Sequence, residues 1–120
     1  MTSMITHVRA FDIRFPTSSM LDGSDAMNAD PDYSAAYLRI YCSDSEITGD
    51  SLVFTIGRGN DIQVKAIEML ASDLVGMRTS EAFTNMGAIG RMLSADSTMR
   101  CLGTDKGVFT MQAVSIINAL

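Results

Sequence analysis

The chain has 120 residues, of which 47% are hydrophobic and 19% are charged, which is typical of one globular domain and not of a disordered segment. A formal net charge of -5, without a stripe of Lys and Arg side chains, argues against nucleic acid as a partner. The sequence contains no apolar run near the roughly 18 residues that a membrane-spanning helix needs, so no membrane partner is expected.

The first strand is predicted near the N-terminus. Phe11, Ile13 and Phe15 alternate with Asp12 and Arg14, which is the period of a half-buried strand. A proline follows directly, and proline ends a strand because it cannot donate to the hydrogen-bond ladder.

A long polar segment, residues 17–32, comes next and is predicted to be a loop. It is rich in Ser, Asp, Asn, Gly and Pro, and neither strand nor helix periodicity survives in it. Loops of this length inside a compact domain are more often functional or mobile than idle. Its acids Asp22 and Asp32 are expected to be solvated.

Two further strands are predicted after the loop. The segment from Tyr33 to Cys42 alternates again, and one of its faces is apolar: Ala36, Leu38, Ile40 and Cys42. The third strand has an apolar face made of Leu52, Phe54 and Ile56. Because the connection between these two strands is short, an antiparallel meander is expected.

Helical periodicity occupies the rest of the chain. A first helix is predicted from Asn60, whose side chain is expected to cap it, with an apolar face of Val64, Ile67, Leu70, Ala71, Leu74 and Val75. A second helix is predicted from about Ser80, with these residues inward: Phe83, Met86, Ile89, Gly90 and Leu93. A third is predicted from about Thr104. Its apolar pattern continues to Leu120 without a stop signal, so the sequence looks cut rather than finished.

No complete catalytic constellation is visible in the sequence. His7 is the only histidine and is expected to be a surface strand residue, since a triad or zinc site needs partners that are missing. The acidic run at residues 22–25 does not have the spacing of an EF-hand loop. The turn Gly57-Arg58-Gly59 lacks the third glycine of a dinucleotide fingerprint. It is either an anion site at a helix N-terminus or a glycine turn with a solvated arginine.

The two cysteines, Cys42 and Cys101, are expected to be free thiols. No basic segment followed by a long apolar segment occurs at the start of the chain, so no signal peptide is expected. An intracellular, reducing compartment follows, with the cytoplasm favoured and the mitochondrion also compatible.

Three stretches, residues 8–18, 21–37 and 52–61, closely resemble the N-terminal capping domain of the L-fuconate dehydratase family, including its animal relatives in the enolase superfamily. The resemblance covers nearly the whole chain. It implies an α+β fold, a three-stranded antiparallel meander followed by a helical bundle, with residues 1–103 as the capping domain. Residues 104–120 would begin the helix that leads into a TIM-type barrel absent from this chain.

The same resemblance implies a hydro-lyase reaction that converts L-fuconate into 2-keto-3-deoxy-L-fuconate. In this family the barrel carries the catalytic residues and the ligands of Mg²⁺, so no catalytic or metal-binding residue and no bound Mg²⁺ are expected in this chain. The expected partners are L-fuconate and the protein's own barrel, and a homo-oligomer is one option. The isolated chain is expected to be inactive.

The family's long first loop closes over the barrel mouth and touches the sugar hydroxyls. Carried over to this chain, the resemblance implies that Gly23, Ser24, Asp25 and Tyr33 bind the substrate. Two alternatives remain open at this point. The chain is a free-standing, truncated product that binds a partner without catalysis, or it belongs to a dehydratase for a different sugar acid.

Overall fold

The computed structural model describes residues 3–44, 46–94 and 120. Three strands form one antiparallel sheet in the order β1-β2-β3, and three helices follow, which confirms the predicted α+β fold and the meander. The elements are β1 Ile5–Arg14, β2 Ser34–Cys42, β3 Thr48–Thr55, α1 Asn60–Ala71, α2 Thr79–Thr84 and α3 Met86–Ser94. The predicted third helix, from Thr104, and Cys101 lie outside the described residues. No helix within the described ranges is long and apolar enough to span a membrane.

The inner face of the sheet packs against the helices. Along β2, every second residue is buried, including Ala36, Leu38 and Ile40, as predicted. The strand register places Val8 opposite Ile40 and Ala10 opposite Leu38, and residues opposite each other in a ladder share a face. Helix α1 packs on this face against β1 and β2 and forms the centre of the core.

The predicted alternation of β1 is confirmed, since Phe11 and Ile13 are half-buried and Asp12 and Arg14 are exposed, but the apolar sides of β1 and β3 do not face the helices. The register pairs Phe11 with Tyr37 and Leu52 with Tyr37, which puts these side chains on the outer face, away from the helices. Leu52 and Phe54 are 52% and 55% exposed, whereas Val53 is only 3% exposed. The inner face of these strands includes Ala10, Val53 and the more exposed Asp12.

Helix α1 confirms most of the predicted apolar face, since Ile67, Leu70 and Ala71 are fully buried. Two details differ from the prediction. Val75 is 46% exposed, because the helix ends at Ala71 and a short 3-10 turn follows. Asn60 does not cap the helix, since its fully buried side chain bonds to the sheet instead.

The predicted second helix is two helices. The chain leaves helical geometry at Asn85, which separates α2 from α3. Ile89 and Leu93 of α3 are buried, as predicted, whereas in α2 the buried residue is Ala82 and Phe83 is 63% exposed. The periodicity was therefore read one residue away from the true inner face of α2.

Candidate functional site

The loop between β1 and β2, residues 15–33, is closed at its base by a set of short hydrogen bonds. The Thr17 hydroxyl donates to the carbonyl of Pro31 at 2.7 Å and accepts the backbone N–H of Tyr33 at 2.9 Å. Asp32 Oδ1 accepts the backbone N–H of Ser18 at 2.9 Å. The two ends of the loop are thus joined, and the loop is a compact Ω-type unit whose shape is fixed by its own contacts.

Asp32 joins this loop to the next turn of the chain. Hydrogen bonds from the Ser18 hydroxyl and then from its backbone N–H hold the pKa of Asp32 below its usual value. The backbone N–H of Asp32 donates to the carbonyl of Ile56 at 3.1 Å, and Gly57 packs against Asp32 with a φ of 130°. Asp32 is therefore a bonded residue at the base of the loop, and the prediction of a solvated acid was wrong.

Gly23 and Tyr33 are in direct contact within the loop. Gly23 has a φ of 73°, and a Cβ added there would lie 1.8 Å from the Tyr33 hydroxyl oxygen. That hydroxyl donates a long hydrogen bond, 3.4 Å, to the Gly23 carbonyl. The Tyr33 ring meets Phe54 edge to face, with 5.4 Å between centroids. Only glycine fits at position 23, for both conformation and space.

Ser24 and Asp25 lie beside Gly23 on the exposed part of the loop. Asp25 Oδ1 accepts the backbone N–H groups of Met27 and Asn28, at 2.9 and 2.7 Å, and so forms an Asx-type turn. Asp25 Oδ2 and the Ser24 hydroxyl make no hydrogen bond to any residue that the structure describes. The loop thus exposes one carboxylate oxygen and one hydroxyl, on a backbone that the Asp25 turn holds in place.

A polar network stands under the loop at the edge of the core. Asn60 donates to Asp12 Oδ1 at 2.6 Å and to the Ala35 carbonyl at 3.2 Å, and it accepts from the Thr55 hydroxyl at 2.7 Å. Arg14 donates to both carboxylate oxygens of Asp12, at 2.7 and 3.0 Å. These bonds from Arg14 and then from Asn60 lower the pKa of Asp12.

The register shows why the loop and the turn Gly57-Arg58-Gly59 lie at the same end of the sheet. Arg14 pairs with Ser34, and Ser34 pairs with Thr55, so the C-terminal ends of β1 and β3 flank the N-terminal end of β2. Arg58 is exposed and forms no ion pair within the described part of the chain. Its role as an anion ligand stays a prediction.

The structure brings Gly23 and Tyr33 into contact and places Ser24 and Asp25 next to them, so the four predicted residues form one surface. Sequence reasoning missed Thr17, which closes the base of the loop, and Asn60, which joins the three strands next to it. A hydroxyl or an amide gives no periodic signal, and its partners lie up to 48 positions away in sequence.

A second concavity lies away from the loop, between the β2–β3 connection and α2. It is apolar, and its lining includes Ile40, Cys42, Ile47, Ala82, Phe83 and Leu120. The Cys42 thiol is free. Ligand sites usually need a few convergent polar groups, and this groove offers a thiol already bonded to the carbonyls of Asp44 and Ile47. The loop end is therefore the stronger candidate site.

The described residues do not fit a metal. They contain no group of three or more His, Cys, Asp or Glu side chains that could hold an ion. Asp12 and Asp32, the two acids at the loop base, are instead used by internal hydrogen bonds.

Known proteins resemble this chain over nearly its whole length, although no protein-family model matches it. An L-galactonate dehydratase from Hypocrea jecorina is 46% identical over 116 residues, which are 97% of this chain and 26% of that protein. The crystal structure of human mitochondrial enolase superfamily member 1 is 34% identical with a TM-score of 0.91. It matches 98% of this chain, which spans 27% of that one.

A more distant structure shares the fold alone. A racemase from Streptomyces coelicolor, solved with bound magnesium, is 19% identical with a TM-score of 0.76, and the match covers 97% of this chain and 30% of the racemase. The chain therefore spans about a quarter of the length of the curated relatives it matches. Its three-stranded meander and helices superpose on theirs. The chain has the fold of the N-terminal capping domain of the enolase superfamily.

Proposed function

We propose that this chain is the capping domain of a sugar-acid dehydratase, with the loop at residues 15–33 as the lid over the substrate. The observation that carries the proposal is the loop itself. It is clasped at its base by Thr17 and Asp32, Asp32 contacts Gly57 of the turn at residues 57–59, and Ser24 and Asp25 are exposed. The relative that is 46% identical is named an L-galactonate dehydratase, which supports dehydration of a sugar acid as the reaction class.

The substrate we propose is L-fuconate, with L-galactonate as the second candidate. L-Fuconate is the 6-deoxy form of L-galactonate, so the two acids share every stereocentre and differ by one hydroxyl at C6. A site that hydrogen-bonds that hydroxyl discriminates strongly against the deoxy compound, whereas an apolar site discriminates weakly. The name of the relative from Hypocrea jecorina favours L-galactonate as the substrate. The sequence resemblance favours L-fuconate.

Each lid residue has a separate role in this proposal. The Ser24 hydroxyl and Asp25 Oδ2 bind substrate hydroxyls. The carboxylate oxygen accepts hydrogen bonds from sugar O–H groups, and the serine hydroxyl donates to sugar oxygens. Gly23 lets the backbone approach the sugar. Tyr33 holds Gly23 through a bond of 3.4 Å, which is long enough for its hydroxyl to turn toward a substrate oxygen instead.

The chemistry itself is assigned outside this chain. Because the described residues offer no metal-binding group, we place Mg²⁺ and proton abstraction in a barrel domain of the longer protein. The contribution of the cap is binding and the exclusion of water from the closed site. The intracellular compartment remains a prediction, and relatives from Xenopus laevis and Homo sapiens are named as mitochondrial proteins.

The test is a chimera in which this chain replaces the matching quarter of human mitochondrial enolase superfamily member 1. We expect Mg²⁺-dependent formation of 2-keto acid from L-fuconate or L-galactonate, whereas the isolated chain forms none. Keto acid produced by the isolated chain, or no turnover of either acid by a folded chimera, contradicts the proposal. The ratio of kcat/KM for the two acids decides between them.

Two variants of the chimera test the lid. Tyr33→Phe and Asp25→Asn each remove one polar contact, so we expect kcat/KM to fall about 3- to 10-fold while the Mg²⁺ dependence is unchanged. The matched controls are Tyr41→Phe and Asp73→Asn, which lie away from the loop and should leave kcat/KM as it was. Equal kcat/KM values for the lid variants and the control variants would contradict the roles assigned to Tyr33 and Asp25.

A further inference from the structure

The outer face of the sheet has an apolar end, which adjoins the lid loop at residues 15–33. Its side chains lie in two rows across the three strands: Phe11, Tyr37 and Leu52, then Ile13, Ala35 and Phe54. Leu52 and Phe54 are more than half exposed, whereas Val53 on the opposite face is buried. A contiguous apolar surface that is open to water marks an interaction site.

The other end of the same face is polar, and its groups pair with one another. Its two rows are His7, Tyr41 and Thr48, then Arg9, Arg39 and Asp50. The rings of His7 and Tyr41 stack with 4.0 Å between their centroids, and Arg39 donates to Asp50 at 2.6 Å. Arg9 lies 5.0 Å above the centre of the Phe11 ring. Because these contacts form within the chain, the polar end requires no further partner.

The apolar end continues into the lid loop. The backbone N–H of Phe15 donates to the Tyr33 carbonyl at 2.9 Å, which extends the ladder between β1 and β2 by one pair. The Tyr33 ring meets Phe54 of the apolar end with 5.4 Å between centroids. Further exposed apolar side chains lie in the loop itself: Phe15, Met20, Leu21 and Met27. The apolar end and the lid loop therefore form one surface.

We infer that the remainder of the longer protein, the body over which the lid closes, packs on the apolar end of the outer face. This inference rests on the proposed function, because it takes the chain to be the cap of such a protein. The chain spans 26% of the L-galactonate dehydratase and 27% of the human protein, so most of a protein of that length lies outside it. A body that meets the lid also meets the apolar rows that adjoin it, whereas the polar end lies farthest from it.

The size of the apolar end favours a contact within one polypeptide over a contact between two copies. Three strands about 4.8 Å apart, each contributing about five residues of 3.3 Å, give a patch of roughly 14 by 16 Å, or about 220 Å². A stable contact between separate chains buries roughly 800 Å² on each partner. A tethered body needs less area, because the linking chain holds it at an effective concentration of the order of millimolar.

Thiol labelling of the chimera tests this contact. Leu52→Cys introduces a thiol at the apolar end, and Thr48→Cys is the matched control, on the same face of the same strand at the polar end. Each variant is made in the chimera and in the isolated chain, and tandem mass spectrometry distinguishes the new cysteine from Cys42. We expect a maleimide to label Leu52→Cys at least tenfold more slowly in the chimera than in the isolated chain. The control should react at the same rate in both.

Each other outcome overturns the inference, provided that circular dichroism shows the parent fold in every variant. These outcomes are equal rates for Leu52→Cys in the two proteins, or equal slowing of both positions in the chimera. Labelling of Leu52→Cys that slows as the isolated chain is concentrated would show that a second copy covers the face. Labelling requires no turnover, so a folded chimera that protects Leu52→Cys but forms no keto acid contradicts the proposed reaction and not the contact.

Discussion

The two faces of the sheet differ in the opposite sense from what their sequence pattern indicates. The inner face packs against the helices, and its residues Ala36 and Val53 are 0% and 3% exposed. The outer face carries the bulkier Phe11, Leu52 and Phe54 and is left open by the described helices. Residue type alone does not decide which face is buried: Leu38 on the inner face is fully buried, whereas Leu52 on the outer face is 52% exposed.

The largest effect should come from truncating the inner face. Leu38 is fully buried, so Leu38→Ala leaves a cavity and should lower the free energy of unfolding by about 2–5 kcal/mol. Leu52→Ala on the outer face should cost under about 1 kcal/mol, because half of that side chain is already in water. Urea denaturation of dilute samples measures both. Similar costs would mean that the outer face is buried in the folded chain.

The next effect concerns the polar part of the inner face. Asn60→Ala removes three hydrogen bonds and leaves Thr55, Asp12 and the Ala35 carbonyl without their partner, so we expect a loss of about 1–3 kcal/mol. Asn85→Ala is the matched control, since Asn85 is an exposed residue with one side-chain bond to a backbone carbonyl. Equal stability of the two variants would show that the network holds the loop base without stabilising the fold.

The smallest effect belongs to the outer-face ion pair. The bond from Arg39 lowers the pKa of Asp50 below its usual value, so this carboxylate stabilises the fold above about pH 4 and the contribution is lost as pH falls through the lowered pKa. Asp50→Asn should cost under about 1 kcal/mol at pH 7, because the pair is part-exposed. The difference from the parent chain should vanish at about pH 2. A difference that persists there would assign the effect to packing.

Much of the fold follows from the sequence, and the failures have a common cause. The meander, the position of the loop and the core of α1 follow from periods of two and about 3.6. Those periods show that a strand is two-sided, but they do not show which side meets the helices, because that choice depends on how closely a neighbouring element approaches. The sequence therefore did not indicate which sides of β1 and β3 meet the helices, and it wrongly placed Phe83 of α2 inward.

The candidate site, like the fold, was predicted only in part. Gly23 and Tyr33 were identified by family resemblance, and the structure adds that they touch. The clasp formed by Thr17 and Asp32 was not predicted, since its bonds join residues 14 to 16 positions apart whose local sequence only indicates a loop. Asn60 was predicted to cap the helix because asparagine is common at that position. In the structure its side chain makes tertiary hydrogen bonds and does not cap the helix.

The contact between Gly23 and Tyr33 has a consequence for anyone who redesigns this loop. A larger residue at position 23 has no room while the tyrosine ring is present, and a smaller residue at position 33 removes the surface on which the glycine rests. Single-site libraries at either position will therefore report mostly misfolded loops. The φ of 73° at Gly23 disfavours a side chain whatever residue stands at position 33, so new lid shapes have to come from other exposed residues of the loop.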